Sequence, residues 1–136
     1  MIKIDYISIQ TLCHATEDTE SVLRAVRKLY PSFTKQRVTG YFGNPIYIFE
    51  AHIKKKREIA QILQLLKVHC ALKLRNDLER RIDKKGNLYI RMNKQELCQG
   101  NIVLKDDGEV KIIIHIQSYP FRREDAISYA EELFGH

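Results

Sequence analysis

The chain has 136 residues, a net charge of +6 and a pI near 9.3, with 44% hydrophobic and 29% charged residues. That length buries roughly two-thirds of the unfolded surface around one core, and the composition is far from that of a disordered polymer, so a single domain spanning residues 1–136 is expected. Three cysteines, Cys13, Cys70 and Cys98, without paired spacing exclude a disulfide framework and fit a reducing, cytoplasmic setting; no apolar run reaches the ~18 residues needed to span a bilayer, and the first residues read as a strand, not a leader.

Residues 2–14 are rich in Ile, Tyr and Thr and read as a long strand. Its apolar phase slips from Ile2-Ile4-Tyr6 to Ile7-Ile9, which predicts a bulge. Thr16 is placed to cap a helix, with Glu17, Asp18 and Glu20 in the first turn and Val22, Val26, Leu29 and Tyr30 on one apolar face; Pro31 ends it. Strands at 33–39 and 46–52 are joined by the loop Gly40-Tyr41-Phe42-Gly43-Asn44-Pro45, whose adjacent aromatics either fold onto the core or face a ligand. Lys55–Cys70 is an amphipathic helix with the stripe Ile59, Ile62, Leu63, Leu66 and Cys70, and a second helical pattern from 71 to 82 either continues it or stands apart.

Gly86-Asn87 turns the chain into a strand whose two faces are both legible. Leu88, Ile90 and Met92 point one way, and Tyr89, Arg91 and Asn93 the other. Followed by Lys94 and Gln95, that second face offers a ring to stack on, charges for phosphate and amides for base edges. A half-solvated strand of an antiparallel sheet explains this stretch more simply, because such strands routinely carry Tyr and Arg. Residues 94–100 read as a helical turn, 102–105 as a short strand and Asp106-Asp107-Gly108 as a hairpin turn. Val110, Ile112, Ile114 and Ile116 then alternate with Lys111, Ile113, His115 and Gln117, the most regular strand of the chain, before Tyr119-Pro120 stops it. A last helix spans Arg122–Phe134. This order of hairpin-linked strands and helices predicts an α+β fold: a mainly antiparallel sheet with helices packed on one face.

Basic charge concentrates in the middle: eight Lys/Arg against three Asp/Glu lie between Lys73 and Lys94, whereas two Arg face four acids from Ser118 onward. Lys54-Lys55-Lys56-Arg57 forms a second block, which reads as a solvated helix start. The sequence holds no Gly-rich phosphate loop, zinc pattern, nucleophile elbow or metalloprotease motif, so no cofactor or metal is expected. His52, His69 and His115 read as packing residues. His14 with Glu17 and Asp18 is the nearest approach to an acid/base cluster, and helix capping explains its carboxylates more simply. No catalytic residue is assigned.

In order along the chain, His14-Ala15-Thr16-Glu17-Asp18, Gly43-Asn44-Pro45-Ile46, Gly86-Asn87-Leu88-Tyr89-Ile90-Arg91 with Lys94-Gln95, and Tyr119-Pro120 with Arg122-Arg123 resemble an archaeal family. It is a family of small predicted RNA-binding proteins, described as predicted exosome subunits. The resemblance implies a curved, mainly antiparallel sheet like that of the large-subunit ribosomal protein that holds 5S RNA, and a role in RNA processing or degradation beside the exosome. The chain departs from the family pattern at Asn93, where a carboxylate is usual. On this reading Arg91, Lys94, Arg122 and Arg123 contact phosphates, Asn44 and Gln95 donate and accept hydrogen bonds, and Tyr89 or Tyr41 stacks on a base. Two alternatives are a protein-interaction subunit, docking on a larger complex or forming a homodimer through an open sheet face, and a metal-assisted ribonuclease using the His14 cluster.

Overall fold

The computed structural model describes residues 2–40 and 42–135. In chain order these form β1 (Ile2–Cys13), α1 (Thr19–Val26), β2 (Thr34–Thr39), β3 (Pro45–Ile53), α2 (Lys56–Arg75), α3 (Leu78–Arg81), β4 (Asn87–Met92), α4 (Lys94–Cys98), β5 (Val110–Ser118) and α5 (Arg123–Phe134). The strands make one five-stranded antiparallel sheet in the order β2-β3-β1-β5-β4, and the fold is α+β, as the hairpin-rich element order predicts. β2 and β3 pair in register from Thr34 opposite Glu50 to Thr39 opposite Pro45.

Each strand buries alternate residues. In β1 these are Ile7, Ile9, Thr11 and Cys13; in β4 Leu88, Ile90 and Met92; in β5 Val110, Ile112, Ile114 and Ile116. Tyr6 sits on the face opposite Ile7. The apolar phase shift in β1 therefore reflects two faces in use, and the expected bulge is not needed to explain it.

Three other expectations are corrected. Asp18, not Thr16, caps α1: its carboxylate accepts the Glu20 N–H at 3.4 Å and the Ser21 hydroxyl at 2.7 Å. α1 also ends at Val26, after which the chain tightens into a turn in which the Leu29 N–H reaches the Val26 carbonyl at 2.9 Å. Residues 102–105 form no strand of their own and contribute an isolated bridge between Leu104 and Met92. The ambiguity at 71–82 resolves into two helices, with the break at Asn76-Asp77.

The chain gathers into two compact units. The first comprises residues 2–7, 52–90 and 112–135. In it the α2 stripe of Ile59, Ile62, Leu66, Cys70 and Leu74 is buried, and α2 and α3 both touch α5. Ala126 and Ala130 let α5 approach closely, and Phe134 is fully buried; burial of one such side chain is worth about 1.5–3 kcal/mol. Arg123 donates to the carbonyls of Ile82 and Glu79, which ties the start of α5 to the end of α3. Burial pushes the Cys70 thiol up to about 11, so this cysteine is a packing residue. The second unit comprises residues 8–51 and 91–111. There α1 packs on α4, while Cys13, Val22 and Phe49 form a cluster flanked by Leu23, Phe33 and Tyr47. Lys28 Nζ donates to the Leu97 carbonyl at 2.9 Å and satisfies an acceptor at the end of α4.

In the first unit, Gly86 has φ +87°, and a Cβ there would lie 2.4 Å from the Ile116 carbonyl oxygen and 2.8 Å from the Phe121 ring. The Ile116 N–H in turn donates to the Gly86 carbonyl at 2.8 Å. Gly86→Ala is therefore expected to destabilise the protein by about 2–3 kcal/mol in urea unfolding, from left-handed backbone strain plus a collision with main-chain atoms.

Candidate nucleic-acid interface

Lys94 is the residue that sequence reasoning misplaces most. Expected at a phosphate, it is 2% exposed in the second unit. Its ammonium donates to Glu17 Oε1 and the Leu12 carbonyl at 2.8 Å each, and pairs with Glu109 Oε2 at 2.8 Å. Burial disfavours its charge, but the hydrogen bonds it donates to the two carboxylates more than compensate, so its pKa is raised. The hydrogen bond from Lys94, aided by His14, holds Glu109 below its ordinary value. Lys94 is thus a structural clasp joining the end of β1, the approach to α1 and the approach to β5.

The same clasp engages the acid/base cluster. Asp18 caps α1, Glu17 holds Lys94, and His14 Nε2 faces Glu109 at 3.4 Å. One ligand atom each from His14, Glu17 and Glu109 lies within 4.8 Å of the others, a spacing that suits a divalent ion. Lys94 already supplies the cation those carboxylates need, so the donor set does not favour a metal.

Beside the clasp, Arg91, Lys111, His14 and Gln10 line a cleft of about 270 Å³ together with Asp107 and Glu109. Arg91 is half-buried on the face of β4 opposite Ile90 and Met92, and its guanidinium donates to the Gly108 carbonyl at 3.2 Å. That bond fixes the stem and leaves the remaining guanidinium donors for a ligand. Gly108 itself has no room for a side chain: a Cβ would lie 2.2 Å from the Met92 carbonyl oxygen. No motif marks Lys111 or Gln10 in the sequence, although Lys111 falls on the polar phase of the most regular strand. Gln95 is exposed in the first turn of α4, capped by Asn93, whose side chain accepts the Glu96 N–H at 3.0 Å.

The β2–β3 hairpin, also in the second unit, carries Lys35 4.3 Å above the centre of the Tyr47 ring. At its tip Asn44 packs over Gly40, and its carbonyl accepts the Gly40 N–H at 2.7 Å, so Asn44 shapes the turn. Phe42 is 90% exposed, which decides against folding back onto the core. Tyr41 lies outside the described residues.

In the first unit, Tyr6 stacks on His115 with centroids 4.9 Å apart and 10° between planes, and packs against His52 at 4.8 Å. Asp5 pairs with the Nδ1 of His115. His52 is exposed yet packs on Tyr6, as expected of a packing residue, and His69 is exposed on α2. Tyr89, on the face opposite Leu88 and Ile90, is 38% exposed, and its hydroxyl donates to Asp83 at 3.0 Å, which raises its pKa. Asp83 also accepts from the N–H groups of Lys85 and Asn87 and from the Asn87 side-chain amide. Burial opposes its charge, yet those hydrogen bonds hold its carboxyl below the usual range. Arg122 is exposed at the N-terminal end of α5, whereas Arg123, expected at a phosphate, is committed to the carbonyls of Ile82 and Glu79.

Fold and surface together define a small α+β protein whose solvent-facing strand residues include rings, amides and cations. A family model described as RNA binding matches residues 6–118, and the chain belongs to that RNA-binding family. It is 32% identical to RNA-binding protein PAB1135 of Pyrococcus abyssi, over 93% of this chain and 90% of the relative. The uncharacterized protein MJ0213 of Methanocaldococcus jannaschii is 26% identical over 91% and 93% of the two chains. Among solved structures, Mth689, a DUF54 protein from Methanothermobacter thermautotrophicus, superposes with a TM-score of 0.84 at 27% identity, covering 96% of this chain and 98% of its own. Protein AF2318 from Archaeglobus fulgidus, also DUF54, gives 0.85 at 31% identity, covering 96% and 99%.

Breaking a buried ion pair costs about 3–5 kcal/mol, less where a partner can resolvate, as Glu109 can with half its side chain exposed. Lys94→Met is therefore expected to lose about 2–3 kcal/mol at pH 7. Because the Glu109 value is depressed in the folded state, its share is present above the unfolded carboxyl value, about 4.3, and fades as pH falls below it. Because the Lys94 value is raised, its share is present below about 10.4 and fades as pH rises beyond that. Urea midpoints of wild type and variant should differ across the neutral range and converge at acid pH.

Proposed function

We propose that the protein is a non-catalytic RNA-binding module. The observation that carries this reading is the cleft of the second unit, where Arg91 is fixed by the Gly108 carbonyl beside Lys111, His14 and Gln10. Membership of the RNA-binding family supports it, as does the name of the Pyrococcus abyssi relative. Arg91 and Lys111 take phosphate oxygens, the first through a planar fork suited to bidentate contact and the second as a point charge. Gln10, His14 and the exposed Gln95 supply hydrogen bonds to sugars and base edges. The first unit carries a ring, Tyr89, and an exposed cation, Arg122, of its own. The role beside the exosome implied by the family resemblance gives this binding a cellular setting in RNA processing or degradation.

A protein-docking role is favoured by one feature. Val68 and Leu72, one turn apart on α2, are 67% and 68% exposed. On that reading Val68→Glu with Leu72→Glu abolishes association with purified exosome components and leaves RNA affinity unchanged.

If about five phosphates of a single strand are neutralised, log K falls against log salt with a slope of roughly −3.5, about a hundredfold loss between 50 and 200 mM. Arg91→Glu with Lys111→Glu should weaken binding at least tenfold and flatten that slope by roughly 1.4, whereas Lys55→Glu with Lys56→Glu, at the solvated start of α2, should stay within about twofold. Fluorescence anisotropy of a labelled oligonucleotide reads both quantities. An affinity indifferent to salt, or equal losses for the two pairs, would refute the assignment.

A further inference from the structure

We infer that one edge of the first unit, formed by the 83–87 turn and the 118–122 loop, holds an unpaired nucleotide of the RNA, with Tyr119 stacking on the base and Lys84, Lys85 and Arg122 taking the flanking phosphates. This rests on the RNA-binding reading and goes beyond it by naming a separate contact and the class of RNA it requires.

The turn is rigid. Asp83 accepts four hydrogen bonds, from the Lys85 N–H at 2.8 Å, the Asn87 N–H at 2.9 Å, the Asn87 amide at 3.1 Å and the Tyr89 hydroxyl at 3.0 Å. Left-handed Gly86 completes the reversal and leaves Lys84 and Lys85 pointing into solvent. The loop is seated on that turn. Phe121 packs against Gly86 where a Cβ would otherwise sit, the Ile116 N–H bonds the Gly86 carbonyl, and Arg123 grips the Ile82 carbonyl at 3.0 Å. Two segments about thirty residues apart in sequence are thereby locked side by side, each presenting cations.

Tyr119 is 91% exposed, so its ring contributes almost nothing to the core. Tyr6 of the same unit has its ring faces occupied by His115 and His52, whereas Tyr119 keeps its faces for a ligand. Among the described residues no carboxylate pairs with Lys84, Lys85 or Arg122. The nearby acids Glu124 and Asp125 lie in the first turn of α5, where the helix dipole favours them. Three cations with no carboxylate partner among the described residues, carried on the same two joined segments as an exposed ring, are complementary to a base flanked by phosphates. A base can present its face to a side chain only when it is unstacked, which excludes the interior of an A-form duplex.

The test is an anisotropy titration of the full chain with a labelled single-stranded RNA ten-mer and with a blunt RNA duplex of the same length. Stacking on one base is worth roughly 5- to 150-fold in affinity. Tyr119→Ala should therefore weaken single-strand binding by about tenfold or more and leave duplex binding within twofold, while Tyr119→Phe retains wild-type affinity because stacking needs the ring and not the hydroxyl. Lys84→Glu with Lys85→Glu should also weaken the single strand. Tyr119 is solvent-exposed, so unchanged urea midpoints will show that these variants remain folded. Wild-type single-strand affinity in Tyr119→Ala, alongside a loss in Arg91→Glu with Lys111→Glu, overturns this site and leaves the RNA-binding reading standing. No affinity of the wild type for either RNA removes both.

Discussion

The alternation along β5 constrains everything else. Val110, Ile112, Ile114 and Ile116 are completely buried, and β5 lies between β1 and β4 in the sheet. A slip of one residue would turn Lys111 and His115 toward the core and leave polar groups there without partners, at a cost of several kcal/mol. With register fixed in this way, Glu109 arrives beside Lys94 in the second unit, and His115 arrives beside Tyr6 in the first. The ion-pair clasp and the ring stack are both consequences of one strand having a single tenable phase.

The cations divide according to whether the fold already supplies them with acceptors. Lys94 meets two carboxylates and a carbonyl, Arg123 meets two carbonyls, and Lys28 closes the end of α4. None of these can leave its partners without stranding them, which costs more than a surface contact to phosphate would return. Arg91 is intermediate: one donor is anchored on Gly108 and the rest of the fork is available. This division was only partly legible in the sequence. The helical stripes of α2 and α5, the faces of β4 and β5 and the turn at Gly86 follow from local periodicity and turn chemistry, and those expectations held. Lys94 and Arg91 stand three residues apart with nothing local to separate them, because the partner that buries Lys94 is Glu17, 77 residues away. The preference for Asp18 over Thr16 as the cap of α1 likewise depended on where the strand before it ended, and element ends are the least local feature of a chain.

Rings divide in the same way. Tyr6, His52 and His115 each lie on the strand face opposite the fully buried residues. Cross-strand register places them against one another, where each ring pair adds about 0.5–1.5 kcal/mol. A ring whose faces are filled by neighbours offers edges to a ligand, which suits hydrogen bonding to a sugar or phosphate more than intercalation among bases. Aromatic residues on the outer face of a sheet can therefore serve as packing partners for one another and not as a stacking platform.

Charge has to be weighed by the same standard. The chain carries 23 lysines and arginines against 17 acids, and the excess alone would suggest a broadly anion-attracting surface. Salt-dependent affinity reports the phosphates a protein neutralises, however, and a cation already held by buried carboxylates neutralises none. The +6 net charge enters through long-range steering of the encounter, which falls off over a Debye length of about 8 Å at physiological salt. Bound-state affinity is set by the smaller group of cations that the fold positions and leaves unpaired, so two relatives of equal net charge can differ widely in RNA affinity if a single carboxylate is gained beside that group.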